Sequence, residues 1–193
     1  MIKEFKVYSG IKQNIELYHF NKEVYPNLLK QQNLYRSVHE YTVDDHRIVN
    51  FYLRNPERLI TLKAQKEIDD IDIAIDYYYQ SLLEHGLTDI IKPFHVNRKF
   101  IPTSKELELI LDMVKTGTYK DLGYMSTSTG DKFGSAGIVT LDIEVTSLNI
   151  GAFLYGLSIR EDEREFLIKR GLSFDVLDYS IKGDKHLIKL RNK

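Results

Sequence analysis

The chain has 193 residues, with 27 basic and 28 acidic side chains and a formal net charge of −1, which excludes a broad cationic field for sequence-independent nucleic-acid binding. It contains no cysteine, so disulfides and thiolate metal sites are excluded as well. No apolar run approaches the roughly 20 residues of a membrane-spanning helix, and Met1-Ile2-Lys3-Glu4-Phe5-Lys6 holds no apolar stretch of a secretory signal.

A chain of this length predicts one domain, residues 1–193, with about 1–37 as an N-terminal helical arm. Residues 11–90 read mainly as helix. Ile11, Ile15 and Tyr18 begin one apolar stripe, and Tyr25, Leu28 and Leu29 begin another. Val38, Tyr41, Ile48, Val49, Tyr52 and Leu53 recur at helical spacing. Pro56 ends that helix, because proline disfavours α geometry in the residue before it. A further helix over about 64–84 carries Ile68, Ile71, Ile73, Ala74, Tyr77, Tyr78 and Leu82, with His85-Gly86 as its C-cap. Beyond residue 93 strands dominate, at 95–101, 124–127, 138–145, 165–168, 174–180 and 185–191. Gly183-Asp184 joins the last two as a hairpin. One helix interrupts them, opened by Thr103 with Glu106 at capping-box spacing and running to about Val114. Helices first and strands later predict an α+β fold.

The densest chemical signal is Glu161-Asp162-Glu163-Arg164-Glu165-Phe166-Leu167-Ile168, where four carboxylates fall within five positions as a polar loop becomes an apolar strand. In an extended strand Glu163 and Glu165, two residues apart, share a face. Like charges that close are unfavourable unless a cation lies against them. The residues alone allow two readings. One is a solvated acidic edge that discourages strand pairing. The other is a site that handles a positive centre, such as an oxocarbenium-like transition state or an arginine guanidinium. The six histidines are scattered without metal-ligand spacing, and Tyr77-Tyr78-Tyr79 reads as packing at helical spacing rather than as a binding platform.

Two further segments stand in order with this one. Asn97-Arg98-Lys99 lies on a predicted strand, Gly123-Tyr124-Met125-Ser126-Thr127-Ser128 comes after it, and Glu163-x-Glu165-Phe166-Leu167-Ile168-x-x-Gly171 closes the series. The order resembles the mono-ADP-ribosyltransferase toxins of the Arg, Ser-Thr-Ser, Glu-x-Glu class. The helix Tyr41-Thr42-x-x-x-His46-x-x-Val49-Asn50-x-Tyr52-Leu53-Arg54 is similar to one in clostridial and bacillary actin-modifying toxins of that class. Glu161-x-Glu163 also satisfies the bare acidic pattern, but only Glu165 is followed at once by a bulky apolar triplet and then x-x-Gly.

The resemblance implies two packed, mainly antiparallel sheets behind an N-terminal helical layer, with NAD as substrate and no metal. It implies that Arg98, with Lys99, holds the diphosphate. Glu165 would stabilise the oxocarbenium-like ribose, with Ser126 positioning it. Glu163 would orient and deprotonate an acceptor guanidinium. Thr127 and Ser128 would complete the NAD site, and Phe133 would pack on the nicotinamide. An arginine acceptor on a host protein is implied, with actin the first candidate and a small GTPase the second. Accompanying NAD hydrolysis, secretion or delivery into a host cytosol, and a separate translocation component are implied too, with a phage or bacterial cytoplasm as the alternative location. Competing readings are a docking module that has lost catalysis and an enzyme that only hydrolyses NAD. The chain departs from the family pattern at Arg160, where an aromatic usually stands, at His46, which replaces a tyrosine, and after Phe133, where no basic residue occurs before the next strand.

Overall fold

Helical periodicity in the sequence becomes helix in space, although twice with a local widening. The computed structural model describes residues 15–88, 93–129, 137–158 and 164–193. Helix α1 (Ile15–His19) passes through a π turn (Phe20–Val24) directly into α2 (Tyr25–Gln31). In the same way α3 (Tyr35–Glu40) passes through a second π turn (Tyr41–Asp45) into α4 (His46–Arg54). A π turn adds a residue to the helical repeat and rotates the next helical segment. Burial therefore passes to Val49 and Asn50, whereas Ile48, counted into the apolar stripe by the spacing, is 53% exposed.

Helix α5 (Leu62–Glu84) is the long helix of the core. Thr61 caps it by accepting a hydrogen bond from the Ala64 amide, and Ala64, Ile68, Ile71, Ala74, Ile75, Tyr78 and Leu82 are buried along one side. Tyr25 and Tyr78 meet edge to face at 4.8 Å, and the Tyr25 hydroxyl donates to the Ala74 carbonyl, so α2 is locked onto α5. Strand β1 (Phe94–Phe100) comes next, then α6 (Ser104–Thr116), whose Thr103–Glu106 capping box is fully formed. The remaining strands are β2 (Thr118–Lys120), β3 (Met125–Ser128), β4 (Val139–Val145), β5 (Gly151–Phe153), β6 (Glu165–Ile168), β7 (Ser173–Lys182) and β8 (Lys185–Asn192). Strand β4 buries Val139, Leu141, Ile143 and Val145 completely and leaves the residues between them partly exposed, as the alternation predicts.

The strands run in the order β2-β7-β8-β4-β1-β3-β6-β5. Every pairing is antiparallel except β4 with β8. The fold is α+β, and the two expected sheets are halves of one continuous ladder. The halves meet between β1 and β3 through the single pair Asn97↔Ser128. Phe94 of β1 packs on Phe153 of β5 and Phe166 of β6 at centroid distances of 5.6 and 5.4 Å, which seals the junction from inside. Among the described residues no helix is long and apolar enough to cross a membrane.

Candidate active site

The junction of the two half-sheets gathers part of the predicted set, with Arg98 on β1, Ser126, Thr127 and Ser128 on β3, and Glu165 at the start of β6. Strand β6 begins at Glu165, which is only 7% exposed and lies directly opposite Ser128 of β3. Ser128 in turn lies opposite Asn97 of β1, and the Asn97 side-chain amide donates to the Ser128 carbonyl. Asn97, Ser128 and Glu165 thus form one row of buried polar residues across three strands. Ser126 lies opposite Leu167, one step along the same face from Ser128. Thr127 is buried between them, and its hydroxyl donates to the Phe166 carbonyl at 2.6 Å. That bond ties β3 to β6 where Glu165 enters the ladder.

Arg164 carries φ +51°, a left-handed conformation that is uncommon outside glycine. Extended geometry therefore starts at Glu165 and does not run back through Arg164. The strand alternation that set Glu163 and Glu165 on one face does not apply there. The Arg164 carbonyl accepts from the Thr129 amide at 3.3 Å, which pins this turn to the end of the Ser-Thr-Ser segment. Glu163 and Phe133 lie outside the described residues, as do Arg160 and Ile11.

Arg98 reaches from β1 across the ring of Phe100, with its guanidinium carbon 5.4 Å from the ring centroid. Its Nη1 is buried and makes no hydrogen bond among the described residues; the nearest carboxylate oxygen, Oδ2 of Asp121, is 3.9 Å away. A buried donor without an acceptor is unfavourable by about 1–3 kcal/mol, more for a charged group, so such a donor points to a ligand. Lys99 stands next on the other face of the strand. The second cation beside Arg98 is instead Arg54, from the end of α4. Its Nε and Nη2 both bond the Asp121 carboxylate at 2.9 Å. Burial acts to lower the Arg54 pKa, but the hydrogen bonds and charge of Asp121 outweigh it and raise the pKa overall.

Asn50 holds α4 in place. Its side-chain carbonyl accepts from the Tyr124 amide at 2.8 Å, and its amide donates to the Tyr41 hydroxyl at 3.1 Å. The glycine of Gly-aromatic-x-Ser-Thr-Ser is required by this approach. A Cβ on Gly123 would stand 2.6 Å from Asn50 Oδ1 and 3.2 Å from the Arg54 guanidinium. Tyr41 is buried at the centre of the group. Burial raises its pKa well above the ordinary phenol value; Glu165 raises it further, while Asn50, Arg98 and Arg54 act to lower it.

Sequence patterns assign no role to Arg54, Asp121, Asn50 or Asn97. Asn50, Arg54 and Asn97 stand inside the segments that carry the resemblance and Asp121 lies two residues before one of them, so their signal is present without an assignment. A separate acidic group, Glu40, Asp45 and Glu67, brings three ligand atoms within 4.8 Å of one another. Lys63 Nζ stands 3.2 Å from Asp45 and 3.3 Å from Glu67, so an ammonium already balances that group.

Comparison with known proteins places the fold. The backbone is similar to an ADP-ribosyltransferase from Clostridium botulinum, at 15% identity and a TM-score of 0.66 over 96% of this chain and 95% of that one. It is similar to Plx2a, an ADP-ribosyltransferase toxin from Paenibacillus larvae, at 16% identity and a TM-score of 0.69 over 98% and 96% of the two chains. It also resembles the enzymatic component C2-I of the C2-toxin from Clostridium botulinum, at 18% identity and a TM-score of 0.62 over 83% of this chain and 42% of that one. At these identities the likeness carries the fold. No curated protein matches the sequence. The sequence profile of the ADP-ribosyltransferase exoenzymes matches residues 17–192, nearly the whole chain, and the protein therefore belongs to the ADP-ribosyltransferase exoenzyme family.

Proposed function

We propose that the protein transfers ADP-ribose from NAD to an arginine of another protein. Family membership supports mono-ADP-ribosylation from NAD as the reaction class. The observation that carries the site assignment is the buried Arg98 Nη1 without a hydrogen bond, on the residue next to Asn97, whose row with Ser128 leads across the strands to Glu165. A guanidinium in that state suits a phosphate oxygen of the dinucleotide. Ser126, Ser128 and Glu165 lie along one face of β3 and β6, next to where the ribose would sit.

In the reaction the bond from ribose C1 to the nicotinamide nitrogen breaks, and its electron pair leaves with the nicotinamide, neutralising the pyridinium. Positive charge develops on the ribose. The largely buried Glu165 carboxylate stabilises that charge more in the transition state than in the ground state. A guanidinium nitrogen of the acceptor then bonds C1 and loses its proton to Glu163, the first carboxylate of the Glu-x-Glu pair. In the related toxins a glutamate at that position accompanies arginine acceptors, which is the reason for naming arginine. Actin is the first target, on the likeness of the Tyr41–Arg54 helix, and water as acceptor gives the accompanying hydrolysis.

Nicotinamide release from NAD, measured with and without a cell lysate, tests this reading. Wild type is expected to label a lysate protein, with the label on arginine. Glu165→Ala is expected to lose at least about a hundredfold in all turnover, and Glu163→Gln to keep hydrolysis while losing transfer. A wild-type protein that neither binds nor turns over NAD would leave the fold as a docking module.

A further inference from the structure

We propose that Asp121 is the positioning residue of the diphosphate site: it holds Arg54 and Arg98 as one two-guanidinium cradle and so makes the site prefer a diphosphate to a monophosphate. The proposal rests on the reading of Arg98 as a phosphate ligand. Asp121 lies in the turn between β2 and β3, with its side chain only 10% exposed. Its own position is fixed independently of the arginines. The Gly123 amide donates to Oδ1 at 2.9 Å, and the Gly171 amide donates to the Asp121 carbonyl at 2.9 Å. Gly171 has φ +71° and is the glycine that closes the Glu-x-Glu motif, so the turn after β6 anchors the backbone of Asp121.

Two guanidinium groups from separate elements, α4 and β1, face this one carboxylate. Side by side they repel each other; Asp121 between them removes that repulsion and reduces the local charge to a single positive unit. Arg54 is gripped through Nε and Nη2, which leaves its Nη1 and the second Nη2 hydrogen for a ligand, and its side chain is 34% exposed. Arg98 keeps the uncommitted Nη1. Arg54 is therefore oriented by two hydrogen bonds to Asp121 and Arg98 is drawn to it by charge at 3.9 Å, and neither is used up by it. One phosphate can engage one of these forks; two linked phosphates can engage both.

The test is isothermal titration of the full chain with ADP and with AMP, for wild type, Asp121→Asn and Asp121→Glu. Asparagine has the shape of aspartate and keeps an acceptor for the Gly123 amide, so the turn is retained. Wild type is expected to bind ADP at least tenfold more tightly than AMP. Asp121→Asn is expected to bring that ratio within threefold, and Asp121→Glu, which keeps the charge but shifts it by one methylene, to fall between them. A purely structural role would weaken both nucleotides alike and leave the ratio unchanged. A wild-type ratio of ten or more that persists in both variants overturns the role of Asp121 while leaving the diphosphate reading intact. A wild-type protein that binds ADP no better than AMP removes that reading, and the proposal with it. Asp121→Glu decides alone where Asp121→Asn does not fold: an unchanged ratio in it overturns the proposal.

Discussion

Asn50→Leu removes a side chain that fastens α4 to the start of β3. Leucine matches asparagine in reach but offers neither the acceptor for the Tyr124 amide at 2.8 Å nor the donor to the Tyr41 hydroxyl at 3.1 Å. Both partners are buried, Tyr124 at 0% and Tyr41 at 1% exposure, so water cannot replace the lost bonds without opening the site. A buried group left without its partner costs about 1–3 kcal/mol, and two of them together about 3–4 kcal/mol. For a chain of this size each kcal/mol shifts the melting temperature by roughly 2–4 °C. Asn50→Leu is therefore expected to melt about 6–16 °C below wild type in differential scanning calorimetry. Asn50→Asp, which keeps the acceptor for Tyr124, is expected to lose less than half of that. Because Tyr124 stands two positions before Ser126, nicotinamide release should fall in Asn50→Leu at temperatures where the protein is still fully folded. A drop of less than about 2 °C, or equal losses in the two variants, would refute the bridging role.

The geometry carries two further expected outcomes. The register places Ser128, not Ser126, directly opposite Glu165; Ser128→Ala is expected to lower kcat by about tenfold, the equivalent of one hydrogen bond to a charged group, and at least as much as Ser126→Ala. Steady-state nicotinamide release compares the two, and a defect confined to Ser126→Ala would contradict the ordering. Burial raises the pKa of Glu67, with Asp45 adding to it and Lys63 opposing. A folded-state pKa above the unfolded one means that the protonated form is favoured in the fold, a stabilisation present below the unfolded pKa and lost as pH rises through the folded pKa. Glu67→Gln, neutral throughout, should melt above wild type at pH 7, and the gap should close as pH falls toward the ordinary glutamate value of about 4.3. A gap that does not depend on pH would argue against it.

Local signals in this chain are legible where a short window contains the whole cause. The capping box at Thr103 and Glu106 closes within one helical turn, and β4 declares itself by alternating Val139, Leu141, Ile143 and Val145 with polar residues. The apolar triplet Phe166-Leu167-Ile168 marks β6 at the residues where it forms. The two π turns escape notice because one extra residue per turn barely alters a periodicity counted over ten residues. Strands β2 and β5, with three residues each, are too short for an alternation to be recognised.

The groups that meet at the candidate site are named by their order in the sequence: Arg98, the Ser-Thr-Ser segment and Glu165. What the amino-acid order does not contain is which of these face one another. Ser128 stands opposite Glu165 because β3 and β6 pair in one register of several, and a slip of a single residue would exchange every side chain between the two faces. Arg54 and Asp121 are 67 positions apart, and their bond exists because α4, the turn before β3 and the turn after β6 pack at one place. The chain by itself determined the kinds of chemical group available and the elements that carry them. Tertiary packing alone decided their distances and charge balance, because those depend on burial and on contacts between segments that have no neighbourhood along the sequence.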